Sequence, residues 1–198
     1  LEGARIGIDP RLVTVNGYAR LTKQLTAAGG SLVAEEENPI DALWHGERPA
    51  PPVSRPFGMP DRVAGKSMTD KLVQLDDRLV QAGCDAVVIS RADAVNWLVN
   101  IRGTDLSNTP INLLFALYHR ENGLILIGDI TRLAPVMEGD LANNAAIVPL
   151  AQFGKLIDPR AGYDDGTKVM FDPDSLPKAL HALLVNAGID LAEAPCPV

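Results

Sequence analysis

Trp97, Asn100, Arg102 and Asp105 are the residues of this chain whose types and spacing best fit a chemical role. They crowd into one stretch, Asn96-Trp97-Leu98-Val99-Asn100-Ile101-Arg102-Gly103-Thr104-Asp105, which follows the apolar run Ala86-Val87-Val88-Ile89. An ordinary amphipathic helix has no need of a Trp, an Asn and an Arg-Gly followed two residues later by an Asp. The spacing predicts a helix end where the chain turns sharply and presents a guanidinium and a carboxylate. The planar fork of Arg102 suits the carboxylate of a ligand or of a neighbouring domain. The alternative is that Arg102 and Asp105 pair with each other, or with backbone, to hold the turn. Trp97 is either a ligand contact or, as is commoner for Trp, a core anchor. Asn100 is expected to cap the helix end. Leu106-Ser107-Asn108-Thr109-Pro110 reads as a polar loop.

Other chemical templates are missing. The three histidines, His45, His119 and His181, stand in no His-x-x-x-His or His-Glu-x-x-His arrangement. There is no Gly-x-Ser-x-Gly elbow, no phosphate-cradling glycine loop and no Gly-x-Gly-x-x-Gly. Cys84 sits at a helix–strand junction, where a small apolar residue is the simpler reading; a nucleophilic role needs a His partner. The Asp9-Pro10 and Asp172-Pro173 pairs read as turn formers rather than acid–base groups.

Composition narrows the classes further. The 198 residues carry 18 Lys and Arg against 25 Asp and Glu, a net charge of −7, and no basic cluster, which argues against nucleic acid. Glu35-Glu36-Glu37 reads as solvated surface. Hydrophobic residues make up 46% of the chain, enough for a packed core. Two distant cysteines fit a reducing compartment better than a disulfide scaffold. The polar start leads to the expectation of no secretory leader, and no apolar run approaches the roughly 20 residues of a membrane span. A cytoplasmic location with no membrane contact is expected.

The elements that must position these residues fall into a weak repeat. Arg5 to Ile8 is a short strand stopped by Asp9-Pro10, followed by a helix over Tyr18 to Ala28, Gly29-Gly30 and a second strand, Ser31 to Ala34. The order recurs as strand Lys168 to Phe171, Asp172-Pro173, helix Leu176 to Ala187, Gly188 and strand Ile189 to Ala192. If the two are equivalent, residues 1–40 are the tail of a domain like 66–198 and lack roughly 100 residues at its front. Between them, Gly46 to Gly65 holds Pro49, Pro51, Pro52, Pro56 and Pro60 and reads as an extended connector. Its Val53, Phe57 and Met59 are expected to lie against a neighbouring domain. Beyond it the periodicity predicts a helix from Ser67 to Ala82, capped by Ser67 or Thr69 and burying Leu72, Leu75, Leu79 and Val80. A buried strand (Asp85 to Ser90) and a helix (Ala92 to Asn100) follow. Strands Leu113–Tyr118 and Leu124–Ile127 then join through an Asn-Gly hairpin signal. A helix over Ile130 to Leu141, a strand over Ala145 to Pro149 and a short helix over Gln152 to Ile157 complete the region. The pattern implies an α/β fold, a mixed sheet flanked by helices.

The segment carrying Trp97, Asn100, Arg102, Gly103 and Asp105, with Asn108 and Pro110 after it, resembles the second domain of three-domain Xaa-Pro aminopeptidases (aminopeptidase P) of the creatinase/prolidase superfamily. Asn38-Pro39-Ile40-Asp41-Ala42-Leu43-Trp44 resembles that family's Asn-x-x-Asp-x-x-Trp segment, and Val63-Ala64-Gly65-Lys66-Ser67 with Lys71-Leu72 resembles the start of its second domain. Asn108-Thr109-Pro110 departs from the family, which usually has an aromatic there. The resemblance implies the creatinase/prolidase N-terminal-domain fold (a ribonuclease-H-like mixed sheet flanked by helices) in one partial and one complete copy. Residues 1–45 would end the first N-terminal domain, 46–65 would be the proline-rich linker, and 66–198 the second N-terminal domain.

The family's reaction belongs to a C-terminal pita-bread domain that holds two divalent metals, Mn or Zn, through two Asp, one His and two Glu. The chain is therefore expected to contain no catalytic residue and to bind no cofactor itself. It would shape the cleft and support oligomerisation in a metallopeptidase that removes the residue before a penultimate proline. Arg102, Asp105, Asn108 and Trp97 are then candidates for the substrate cleft or a domain interface, and Trp44 for a subunit contact, although packing is the simpler role for Trp44. The implied partners are the chain's own catalytic domain, a second copy in a homodimer, and a peptide substrate. The other reading is an inactive interaction module that reuses the fold.

Overall fold

The computed structural model describes residues 1–44, 46, 48–52, 54–157 and 166–198, and of Asp140 the backbone alone. The expectations for His45 and Val53 lie outside the described residues. The elements run β1 (Arg5–Ile8), α1 (Val15–Ala27), β2 (Ser31–Ala34), α2 (Pro39–Leu43), β3 (Phe57–Gly58), α3 (Asp61–Ala64), α4 (Met68–Ala82) and β4 (Ala86–Ile89). After these come α5 (Ala92–Leu98), β5 (Ile101–Arg102), β6 (Phe115–His119), β7 (Gly123–Ile127), α6 (Ile130–Leu133), α7 (Gly139–Asn144), β8 (Ala145–Val148), α8 (Phe153–Leu156), β9 (Lys168–Phe171), α9 (Lys178–Asn186) and β10 (Asp190–Glu193).

Six strands form one mixed sheet in the order β10-β9-β4-β6-β7-β8. Only β6 runs against the rest, pairing antiparallel with both β4 and β7. β4 is buried along its whole length because helices cover both faces, so its four apolar residues need no polar alternation. Successive residues serve opposite cores. Val87, Ile89, Ala116, Tyr118 and Met170 meet Leu75, Leu79, Val95 and Leu98 of α4 and α5. Ala86, Val88, Leu117, Val169 and Phe171 meet Phe153, Leu180 and Leu184 on the other side.

The capping signals hold at α4: the Ser67 hydroxyl accepts from Asp70 N at 3.1 Å, and Gly83 closes the helix at φ 63°. The buried stripe is Met68, Lys71, Leu75 and Leu79, whereas Val80 is 52% exposed. The stripe is thus rotated from the one expected, and the long stem of a lysine replaces a valine in it. The single helix expected over Ile130 to Leu141 is broken. Pro135 supplies no N–H for a helical bond, so α6 tightens into a 3₁₀ turn at 134–136, and α7 starts only at Gly139, φ 53°.

The proline-rich stretch is not a bare connector. β3 pairs antiparallel with β5, Met59 N donates to Asn100 O at 2.6 Å, and Pro56 is buried. Prolines remove only their own donors, and the intervening residues are free to pair. Phe57, expected against a neighbour, is 49% exposed.

The two strand–helix–strand units face each other. Both pair their strands in parallel. Val15 N donates to Leu176 O (3.0 Å) and Lys178 N to Val13 O (2.8 Å); Asn16 N donates to Pro173 O (3.0 Å) and Ala179 N to Pro10 O (2.9 Å). Each bond has a mate with the two units exchanged, around an antiparallel bridge between Thr14 and Pro177. The repeat read in the sequence is therefore a local two-fold contact in the fold. α1 starts earlier than expected, because Thr14 caps it through Gly17 N.

Candidate functional site

α5 ends at Val99, and Asn100 takes the left-handed conformation at φ 52°, which its side chain tolerates better than most. That turn throws Ile101 and Arg102 into β5 and sets Trp97 at the surface. Trp97 is 40% exposed, so it is no core anchor. Beneath it lies Lys71, which the sequence marks as part of the family resemblance but not as a site residue. Lys71 Nζ sits 4.1 Å from the Trp97 ring centroid and donates to Trp97 O at 2.6 Å and to Asn100 Oδ1 at 2.5 Å. Burial pulls the Lys71 ammonium below its ordinary pKa, and the Arg102 charge adds to the effect.

Arg102 and Asp105 do not pair with each other. Arg102 is half-buried and donates Nη1 to Asn96 O (2.9 Å) and Ile101 O (2.7 Å), so the backbone option of the turn-holding reading is the one realised. Its guanidinium also borders a recess of about 420 Å³ shared with Trp97, Arg91, Pro110, Ile111 and Val198. Arg91 is already engaged by Asp93 at 2.8 Å.

Asp105 instead forms the centre of a clasp. Its side chain is fully buried and takes Arg132 Nη2 on both oxygens at 2.6 and 2.7 Å. It also accepts from the Ser54 hydroxyl at 2.5 Å and from Leu113 N at 2.8 Å. Arg132 also donates through Nε and Nη2 to Ser54 O and through Nη1 to Pro52 O, which fastens the proline-rich stretch to the sheet domain. Burial alone would raise the Asp105 pKa, but the hydrogen bonds from Arg132, Ser54 and Leu113 outweigh it and hold the carboxyl below its ordinary value. Beside the clasp, Asn96 acts as a piece of strand: its amide accepts from Asn112 N (2.9 Å) and donates to Asn112 O (2.8 Å).

The remaining candidates lie apart. Asn108 is exposed at φ 62° in the tip of the loop, where Thr109 N donates to Leu106 O. Trp44 closes α2 and is 45% exposed, so it does not serve as an interior anchor. The short expected helix at Ala92–Asn100 and the polar loop were legible in sequence, but Lys71, Arg132, Ser54 and Asn112 were not among the site candidates. For Lys71 a signal existed, since it falls in the apolar spacing 68, 71, 75, 79.

Among the described residues no group of three or more His, Cys, Asp or Glu is arranged to hold a metal ion. His119 Nδ1 accepts from Glu121 N and Asn122 N, and His181 meets Phe171 edge-on. These residues do not fit the metals that the family implies, and no chemical step is assigned to them. Cys84 is buried in the core, where desolvation raises its thiol pKa. No helix among the described residues is long and apolar enough to cross a membrane.

The profile of the Creatinase/Prolidase N-terminal domain family matches residues 47–198. A probable Xaa-Pro aminopeptidase P of Penicillium rubens is 33% identical over 147 residues, covering 74% of this chain and 24% of the relative. Its counterpart in Aspergillus niger is 36% identical over 149 residues, with 75% and 24% covered. The chain thus spans about a quarter of the length of these curated relatives. The crystal structure of X-prolyl aminopeptidase from Caenorhabditis elegans, described as a cytosolic enzyme with a di-nuclear active site, superposes on 100% of this chain and 32% of its own, with a TM-score of 0.82 at 22% identity. That likeness shows the fold. With the family profile matched across most of its length, the chain belongs to the creatinase/prolidase N-terminal domain family.

Proposed function

We propose that this chain is the non-catalytic N-terminal region of a metal-dependent Xaa-Pro aminopeptidase. Residues 1–45 are the end of a first N-terminal domain, 46–65 the linker, and 66–198 the second N-terminal domain. The two-fold contact between β1-α1-β2 and β9-α9-β10 supports two copies of one fold. The peptide, with its penultimate proline, and the two metals, Mn or Zn, are handled by a catalytic domain, and this region shapes the cleft and supports a cytoplasmic homodimer.

The observation that carries the reading is the pairing of Arg102 with exposed Trp97 at a recess bordered by Val198. A chain continued past Val198 would leave from that recess, so the next domain would pack where the guanidinium and the indole are presented. Among the described residues, backbone holds the Arg102 guanidinium through Nη1 alone, which leaves the fork able to meet a carboxylate.

Arg102→Ala in the enzyme carrying its catalytic domain is therefore expected to lower kcat/KM at least tenfold, about 1.4 kcal/mol. The melting temperature should move by no more than about 3 °C, an upper bound because roughly 1 kcal/mol is worth that much in a chain of this length and less in the larger enzyme. Steady-state kinetics and a thermal melt on the same preparation decide. Unchanged kinetics with a large loss of melting temperature would make Arg102 a holder of the turn and nothing more.

A further inference from the structure

Lys71 is 1% exposed, yet among the described residues its ammonium donates to a carbonyl and an amide oxygen and to no carboxylate. A methionine would fill the space between α4 and α5 without desolvating a charge, so packing does not explain a lysine there. The ammonium does three things that a thioether cannot. It holds Trp97 O, a carbonyl of the last turn of α5, where a cation complements the helix end. It holds the side chain of Asn100 in the left-handed turn. It also attracts the face of the indole ring at 4.1 Å.

The hold spreads from there. Asn100 Nδ2 passes it to Asp61 Oδ1 (3.0 Å) and Lys66 O (2.9 Å), and Asn100 O takes Met59 N. One buried cation thus ties α4, the end of α5, α3 and the proline-rich stretch into a single knot. The indole that closes this knot is the one exposed beside Arg102 at the recess.

We propose that Lys71 is the positioning residue of the recess: its ammonium fixes the Trp97 ring and the Asn100 turn so that indole and Arg102 guanidinium are presented together. The consequence for catalysis rests on the reading of the recess given under Proposed function; the positioning itself does not.

The chain has two tryptophans, so Trp44→Phe leaves Trp97 as the sole tryptophan, excited selectively at the red edge where the three tyrosines do not absorb. In that background Lys71→Met is expected to shift the Trp97 emission to longer wavelength and to raise its quenching by acrylamide, with the melt still cooperative. Emission, quenching and anisotropy identical to those of the Lys71 protein would overturn the proposal. Should Lys71→Met fail to fold, the unaltered chain still decides. The Lys71 ε-methylene protons are expected upfield of a free lysine, because they adjoin an ammonium 4.1 Å from the indole centroid, with a cross-peak to the Trp97 ring. Free-lysine shifts with no cross-peak would overturn the proposal equally. In the enzyme carrying its catalytic domain, Lys71→Met should lower kcat/KM in the same direction as Arg102→Ala. A moved Trp97 with intact kinetics would uphold the positioning and count against the cleft reading instead.

Discussion

Asp105→Ala is expected to destabilise the chain by about 3 kcal/mol, because it strips a desolvated guanidinium of its partner. At this size that is a drop of roughly 6–12 °C in melting temperature. The side chain is fully buried, and three groups lose their acceptor at once: Arg132, the Ser54 hydroxyl and Leu113 N. Arg132→Ala leaves the carboxylate buried with only the two weaker donors. The two losses should be non-additive by at least about 1 kcal/mol in a double-mutant cycle, since either change alone destroys the same clasp. Additivity within about 0.5 kcal/mol would show that the pair does not act as a unit.

The same clasp sets a pH dependence. The Asp105 pKa is depressed in the folded chain relative to its ordinary 3.8, so the folded state favours the ionised form. Its contribution is complete above the unfolded pKa and fades as pH falls through 3.8 towards the lower folded value. The gap between wild type and Asp105→Ala should therefore be widest at neutral pH and narrow in acid. Chemical denaturation at a series of pH values measures it. A gap that is constant from neutral to strongly acid solution would mean that the carboxylate charge contributes nothing.

Gly103→Ala is the second large effect. A Cβ at Gly103 would overlap the Asn112 side-chain amide, far inside van der Waals contact. Asn112 is 1% exposed, and its backbone is locked to Asn96 on both sides, so it cannot swing clear. Its Nδ2 also reaches Ser54 Oγ at 3.3 Å, so displacing it disturbs the Asp105 clasp. Overpacking of this kind costs about 2–3 kcal/mol, and the loss should show as a lower midpoint in urea with an unchanged slope. The requirement is one of space, since Gly103 has no positive φ. A midpoint shift near zero would mean that the Asn112 pocket yields freely.

Much of the fold was legible because its signals are local. Gly83 in the left-handed region, the Ser67 cap and the turn before Gly123 at φ 81° each depend on a few neighbouring residues. The hydrophobic run of β4 was equally plain. The site was less legible because its bonds are not local. Asp105 lies 27 residues from Arg132 and 51 from Ser54, and Lys71 lies 29 from Asn100. No spacing rule connects such pairs, so Arg132 and Ser54 are invisible as partners of Asp105 in the sequence, where its near neighbour Arg102 is the only nearby cation to consider. Hydrophobic periodicity puts Val80 on the buried face and does not select Lys71, although the lysine stem reaches into the core and the ammonium finds oxygens there. For Trp97, residue type favours a core anchor over a ligand contact, but residue type says nothing about a ring held from below by a buried cation.

The most direct test of the proposed role is to sequence the gene for about 250 codons past Val198, the length of one further domain. An ordered set of Asp, Asp, His, Glu and Glu ligands there is the predicted result and would make this chain the non-catalytic part of a dinuclear metallopeptidase. A stop codon directly after Val198, or a following domain without those ligands, would contradict it and leave a binding module built on the same fold.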